Sequence, residues 1–474
     1  MNITRVKNVI QLSVSFRLRT NLLLRSGEEG TFSDSTVDRT ADGRLHINGY
    51  VWASLIRRAL SRLAGAEELA ERIGCYKRHE STGTMENRGV SPLWCETTLS
   101  DFSGGDIRTG SRIHRKWGST DASALYSDEM EVPGSLLTLN LNFFCEEQDE
   151  PNTIRKQLLG ALWVINEGIE NIGGGWSYGH GRLEVEAVRL NILKLENLDH
   201  RTRLWDYSNL PELMKSQWNM EPKIIRKRGW TKFNVKGTIK PGQLLAIHSA
   251  QPDYDQYKDY THLPDTFVFR PLHRIDDRIT QAPVVTGKAF RQAVISSSIE
   301  RQLRTEGYDI CETPGEGCTC MKCIEYRKGF AKRNKNSPDC ECIHCSWFGS
   351  THQGGIIAVL DATVNDPRTE VLHRIQICEH SFQNINLFSG EYLTGGDFDL
   401  EILIDKGIGM KNSGVDKLIN KVAQIIFEIS EEDSPDCNFV EQTAVKAPPG
   451  WYRLGATTTC TGQFTITKWS CDNV

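Results

Sequence analysis

Hydrophobic and polar residues alternate at the start of the chain. Ile10, Leu12, Val14, Phe16 and Leu18 fall on one face and Gln11, Ser13, Ser15, Arg17 and Arg19 on the other, which predicts a half-buried strand. Its basic outer face could meet phosphate or stay solvated. After the polar stretch 25–49 the period becomes helical. Val51, Trp52, Leu55, Ile56, Ala59, Leu60 and Leu63 share one face, with Arg57, Arg58 and Arg62 on the other side. Gly49 stands at the helix entrance, where bare N–H groups favour an anion. From Cys75 to Glu131 the pattern is weak, and long loops or a protruding hairpin are expected. Alternation returns at Leu137, Leu139, Leu141 and Phe143. A helix follows on Ile154, Leu158, Leu162, Ile165 and Ile169, and Leu183, Val185 and Ala187 predict a closing strand.

The same order then starts again. Residues 191–230 read as a linker of mixed charge, with Pro211, Pro222 and the basic run Lys223, Arg226, Lys227 and Arg228. Phe233, Val235 and Ile239 predict a strand, and a long polar loop follows. A helix begins at Ala289 and Phe290 after Gly287. Phe398, Leu400, Ile402 and Ile404 alternate, Leu418 to Ile429 carry a helical apolar face, and YRLGATTTCTGQFTIT then stands where the first module has its glycine loop. Element order thus predicts an internal duplication, with modules at 1–190 and 231–474. Each suits an α+β, ferredoxin-like βαββαβ core with an inserted arm. Two unrelated α+β domains are the alternative.

Between the second helix and closing strand of the first module lies NIGGGWSYGHGR, with Gly173, Gly174, Gly175, Gly179 and Gly181 in nine positions. Glycine tolerates φ > 0 and close backbone approach. Such a loop is either a structural turn or a cradle whose N–H groups face phosphate. In the cradle, His180 and Arg182 would add charge or hydrogen bonds, and Trp176 and Tyr178 would stack on bases. In the second module Gly455 and Gly462 align with Gly174 and Gly181, but the glycines between them are lost.

Seven of the 14 cysteines lie between Cys311 and Cys345, in an insertion at about 305–350. Cys320-x-x-Cys323 and Cys342-x-x-Cys345 are separated by 18 residues, which is zinc-site spacing. Four thiolates would fill the tetrahedron, so the site would be structural. Cys311, Cys318 and Cys340 are spare, and Cys318-x-Cys320 could substitute for the first pair.

A chain of 474 residues exceeds one ordinary core. The formal net charge of −5 argues against indiscriminate polyanion binding but leaves room for a local basic groove. No run of about 18 apolar residues is present, so no membrane partner is expected, and the chain reads as cytoplasmic. Asp34, Asp38 and Asp42 lie in the first polar loop, and Asp265, Asp276 and Asp277 in the second. Such residues are ordinary turn formers unless a phosphodiester lies beside them.

GGGWSYGHGR resembles the glycine-rich loop of the RAMP superfamily of CRISPR RNA-guided proteins. INGYVWASLIRR resembles the family's I-P-G-S-S-L-K-G-x-x-R helix entrance, and CIHCSWFG its C-P-x-C-R-x-F-G segment. The double unit and the cysteine insertion look most like the two-module backbone protein of a type III-D effector complex. The resemblance implies RRM-like palms stacked along a guide RNA and a hairpin thumb that displaces a nucleotide at intervals. Other backbone and large subunits and a single-stranded target RNA would be the further partners. It implies that a loop Asp cuts the target by helping a ribose 2′-OH attack the adjacent phosphate, aided by Mg2+ or Mn2+. Asp34, fifteen residues before Gly49, matches that position, with Asp38 as a second acid. In the second module Asp265, in PDTFVF, is the counterpart, with Asp276 as the alternative. The RNA-binding set carried over is Gly49, Arg57, the five loop glycines, Trp176, Tyr178, His180, Arg182, Gly287 and Lys288. Two further readings stay open: a non-catalytic scaffold subunit of the same complex, and a stand-alone endonuclease acting on precursor RNA.

Overall fold

The computed structural model describes residues 5–30, 33–74, 76–78, 85–87, 90–113, 120–219, 230–249, 264–275, 278–308, 310, 342–349, 354–377, 384–406, 412–431, 446–447, 452–454 and 462–473. The first half runs β1 (Val6–Leu18), β2 (Arg44–Ile47), α1 (Gly49–Leu60), α2 (Glu67–Ile73), the short pair β3 (Tyr76–Arg78) and β4 (Met85–Asn87), β5 (Leu93–Cys95) and β6 (Thr98–Ser103). The arm β7 (Asp106–Ile113) and β8 (Thr120–Met130) follows, then β9 (Leu136–Glu146), α3 (Pro151–Asn166) and β10 (Leu183–Lys194). Ile10, Leu12, Val14 and Phe16 are buried against α1 and α3, as their alternation requires. Pro151 opens α3, and the Glu150 side chain accepts the N–H groups of Asn152 and Thr153.

The connector carries α4 (Leu198–Thr202) and α5 (Lys215–Trp218). The second half contains β11 (Trp230–Ile239), the pairs β12 (His248–Ser249) with β13 (Phe267–Val268) and β14 (Leu272–Ile275) with β15 (Arg278–Gln281), and β16 (Val284–Val285). Then come α6 (Gly287–Phe290), a π-helical stretch Arg291–Ser296, α7 (Ser297–Thr305), α8 (Ile343–Phe348) and β17 (Ile357–Val359). The long hairpin of β18 (Ala362–Ile377) and β19 (Asn384–Asp405), α9 (Asn412–Ile429) and β20 (Thr465–Asn473) complete it.

Each half forms a six-stranded sheet. The first has the order β10-β1-β9-β6-β2 with β5 also on β9, and the second β20-β11-β19-β18-β16 with β17 also on β19. Element for element these orders are the same, and all described strand pairs within them are antiparallel. The helix entrances also coincide. A Cβ at Gly49 would lie 2.0 Å from the Cys95 carbonyl oxygen, and one at Gly287 would lie 2.0 Å from that of Val359. Both helices therefore start on a backbone approach that only glycine permits.

The connector does not hang free. The Gln11 side-chain amide donates to the carbonyls of Arg203 and Leu204, and that of Asn142 donates to Leu204. Trp205 packs against Trp94 and Phe144, and Trp218 is buried in the first core. The Gln11 and Asn142 contacts lie on the sheet face opposite α1 and α3, whereas α5 with Trp218 packs on the α3 side. Arg17 pairs with Glu186 and Arg19 with Glu184 across the strands. The basic outer face expected of β1 is therefore largely neutralised, and its centre is buried. The first core continues across the junction through Trp230, Ala358, Leu360 and Leu403. Among the described residues, no helix is long and apolar enough to cross a membrane.

Candidate nucleic-acid interface

Asp34 and Asp265 occupy matching places. The Asp34 N–H donates to the Ser127 carbonyl at 2.8 Å, and Asp34 Oδ2 accepts the Ser127 N–H at 2.5 Å and its hydroxyl at 3.2 Å. The Asp265 N–H donates to the Ser389 carbonyl at 2.9 Å, and Asp265 Oδ2 accepts the Ser389 N–H at 2.6 Å and its hydroxyl at 3.5 Å. The next residue clasps the same strand, because Glu129 N–H donates to the Ser35 carbonyl and Glu391 N–H to that of Thr266, each at 2.9 Å. Five residues after each Asp stands an arginine bound to that glutamate. Arg39 Nε meets Glu129 at 2.6 Å, and Arg270 holds Glu391 with two nitrogens at 2.5 and 2.8 Å. DSTVDR with YSDE and DTFVFR with FSGE are thus one built unit, present twice.

In both units the Asp is exposed and one oxygen is anchored. Oδ1 accepts no hydrogen bond from the described residues, which leaves an oriented carboxylate oxygen on the surface beside the arm. Asp38 is spent differently, since its Oδ2 lies 2.6 Å from His46 Nδ1. Its counterpart in the second unit is Phe269, so the second acid is not duplicated. Asp276 lies outside the described residues, and the geometry assigns the matching place to Asp265.

The glycine loop is built as the sequence implies. Gly173, Gly175, Gly179 and Gly181 have φ between 74° and 76°, a region open to glycine. Gly173 and Gly174 are exposed, whereas Gly179 and Gly181 are buried. A Cβ at Gly179 would lie 2.8 Å from Leu360 Cγ of the second half. The Trp176 and Trp230 rings lie 5.4 Å apart, and Tyr178 lies beneath the Lys288 and Arg291 cations. Arg182 pairs with Glu401 at 2.9 Å. Of the two readings left open by the sequence, a structural turn and a phosphate cradle, the far half of the loop is built as the first. That half docks the two sheets together, Trp176 and Tyr178 already have partners, and Arg182 is neutralised.

His180 is buried, and burial, with the nearby Arg108 charge, pushes its imidazole down to about 4. It is neutral at pH 7, so of the charge or hydrogen bonds named for it only hydrogen bonds are open to it at that pH. A folded value below the unfolded 6.5 means that the unfolded chain takes the proton first. Its contribution is therefore complete above pH 6.5 and is lost as pH falls towards 4. By pH 5 the expected loss is roughly 2 kcal/mol. Urea midpoints at pH 7 and pH 5 should diverge more for the wild type than for His180→Gln.

At the second helix entrance the anion seat is already filled. Gly287 N–H donates to Asp361 Oδ1 at 2.8 Å, while Asp361 Oδ2 meets Arg108 of the first arm at 2.6 Å. Burial disfavours the Asp361 charge, but Arg108 and the Gly287 N–H outweigh it and hold the carboxyl below its usual range. Lys288 hydrogen-bonds the Tyr126 hydroxyl, and burial lowers its pKa. Gly287 and Lys288 are thus junction residues here rather than an open phosphate seat. At the first entrance Asn48 caps without a side-chain hydrogen bond, and Arg57 is exposed. Arg57 lies in the last turn of α1, away from that entrance.

Cys342 and Cys345 are buried at the start of α8, a fit for one thiolate pair of the expected zinc site. Cys320 and Cys323 lie outside the described residues. The features missed from sequence are Ser127, Ser389, the two arginine–glutamate clasps and Asp361. The repeated D-[ST]-x-V-x-R and S-x-E strings could have disclosed all but the last.

No curated protein matches the chain significantly. Residues 15–184 match the family model described as RAMPs, RAMP superfamily. That span takes in the first clasp, the first helix entrance and the glycine loop, and the domain it covers belongs to the RAMP superfamily.

Proposed function

We propose that the chain is a two-module backbone subunit of a CRISPR RNA-guided effector, of type III-D kind. It would bind guide RNA and cut complementary target RNA at two places. Family membership of the first domain supports an RNA-binding, CRISPR-associated role. The repeated sheet order supports a second module of the same ferredoxin-like kind. The observation that carries cleavage is the duplicated clasp, which holds Asp34 and Asp265 in one geometry and leaves one oxygen of each free.

In this reading the free oxygen accepts the proton of a target ribose 2′-OH. The 2′-oxygen attacks the adjacent phosphorus, and the bond to the 5′-oxygen of the next nucleotide breaks. That oxygen takes a proton from water, leaving a 2′,3′-cyclic phosphate. Mg2+ or Mn2+, when bound, would offset phosphate charge. Each site offers one exposed carboxylate, which suits an ion that keeps most of its waters and takes further ligands from phosphate. Zinc would be held by Cys320, Cys323, Cys342 and Cys345 and would organise the insertion.

The test is to load the full chain and its co-purifying subunits with a defined guide and add end-labelled RNAs with Mg2+. Two discrete cuts in a complementary RNA, and none in a scrambled one, support the reading. Tight guide binding with no cut makes the protein a scaffold, and cleavage of precursor RNA by the chain alone makes it a processing enzyme.

A further inference from the structure

We infer that the Asp34 site is assembled by both halves of the chain, with Lys288 of the second half a positioning residue for Asp34. The inference rests on the proposed cleavage role for its functional consequence, but not for its structural content.

Asp34 has little support of its own. It hangs from Ser127, and its neighbours hang from Asp128 and Glu129, all on β8. Arg25 adds a bidentate pair to Asp128. The centre of the loop is thus tied to β8, while its flanks are held within the first half by the Arg25–Val37 and Arg39–Leu45 bridges. β8 belongs to an arm paired only with β7 among the described strands, and a two-stranded ribbon is marginal alone. At the level of Ser127 the ribbon is held from the first half by Arg25 on Asp128 and by the Arg108 contact to Asn21 at 2.6 Å, and it is gripped from the second half as well. In the register of the arm, Arg108 faces Asp128 and Gly110 faces Tyr126. Arg108 is the residue ion-paired to Asp361, whose other oxygen takes the Gly287 N–H. Lys288 Nζ bonds the Tyr126 hydroxyl and sits 4.7 Å from the centre of its ring. Gly110 leaves the room: a Cβ there would lie 2.7 Å from Lys288 Nζ. The two second-half residues described, Lys288 and Asp361, thus grip the arm on either side of Ser127, at 126 directly and at 128 across the ribbon. The entrance of α6 acts as the base plate for the first site.

The test uses the full-length chain, loaded with guide, as wild type, Lys288→Gln, Lys288→Arg and Tyr126→Phe. Hydrogen exchange of the amides at 33–37 should speed up by about tenfold in Lys288→Gln, the worth of one charge-assisted bond. It should rise less in Tyr126→Phe and recover in Lys288→Arg. Amides at 265–270, in the matching second clasp, should keep wild-type rates. In the cleavage assay the Asp34-dependent cut should slow by about 100-fold, as expected for a displaced group. The Asp265-dependent cut and guide affinity should hold. Unchanged exchange at 33–37, or equal acceleration in both clasps, overturns the inference. So does weaker guide binding without a change in exchange, which would make Lys288 an RNA contact. A wild type that cuts nothing would remove the cleavage reading instead, and the exchange rates would still decide this one.

Discussion

Guide-loaded Asp34→Ala protein is expected to cut a complementary RNA at one position fewer than the wild type, and Asp265→Ala to lose the other cut. The expected fall at the affected position is about 10²–10⁴-fold, the usual worth of a general base. The unaffected position should keep its rate, because the two clasps share no residue. Both carboxylates are exposed, so their removal should cost little stability, on the order of 1 kcal/mol or less. Asp34→Asn sharpens the test. Its amide oxygen still accepts the Ser127 N–H, so the loop keeps its place, but it cannot take a proton from a 2′-OH. Asn should therefore be as inactive as Ala. Ser127→Ala removes the hydroxyl contacts to Asp34 Oδ2 and from the Asp34 N–H, each at 3.2 Å, and keeps the backbone bonds in both directions, so most activity should remain. Single-turnover mapping on end-labelled RNA reads all four variants. Equal rates at both positions in Asp34→Ala and Asp265→Ala would leave the protein a scaffold.

Alternation and helical periodicity gave the main strands and helices of both halves, because each pattern is local. The two helix entrances were also legible, since Gly49 and Gly287 stand at the start of an apolar helical face in each half. Asp34 and Asp265 could be picked out for the same reason: each sits in a polar loop at a matching place in the repeated order. What holds them could not be read by period. Arg39 and Glu129 are 90 residues apart, and Arg270 and Glu391 are 121 apart. A long-range ion pair leaves no trace in local hydrophobicity. It leaves a trace in repetition, and comparing DSTVDR with DTFVFR residue by residue would have exposed both arginines.

The glycine loop shows the opposite limit. Positive φ at Gly175 or Gly179 follows from the residue type. What the loop touches does not. Gly179 lies against Leu360 because the two halves meet there, and a cradle for RNA and a socket for a protein surface call for the same glycines. The linker shows a related limit. Mixed charge and prolines mark it as a connector, while Trp205 and Trp218, lone aromatics without a period, are what fasten it to the first half.

The junction itself supplies the last expected result. Arg62 of α2's approach is buried and pairs with Glu170 at 2.7 Å and with Asp405 of β19 at 3.0 Å. Its guanidinium also lies 5.6 Å from the Trp230 ring centre. Burial works against the Arg62 charge, but Asp405 and Glu170 outweigh it and raise its pKa. Arg62→Met should destabilise the protein by about 3–5 kcal/mol, because it takes the 3.0 Å cationic partner from the buried Asp405 carboxylate. Glu170 would suffer less, since Arg58 still reaches it at 3.0 Å. The loss should fall on the seam, so the variant should unfold in two calorimetric steps where the wild type unfolds in one. The double variant Arg62→Met with Asp405→Leu removes both charges and should recover most of the lost stability, since an apolar pair avoids the desolvation that the ions carry. If the double variant is as weak as the single, Arg62 acts by packing on Trp230 instead. If neither variant separates the transitions, the halves are held by the Trp176–Trp230 and Leu360 contacts, with the ion pair contributing register alone.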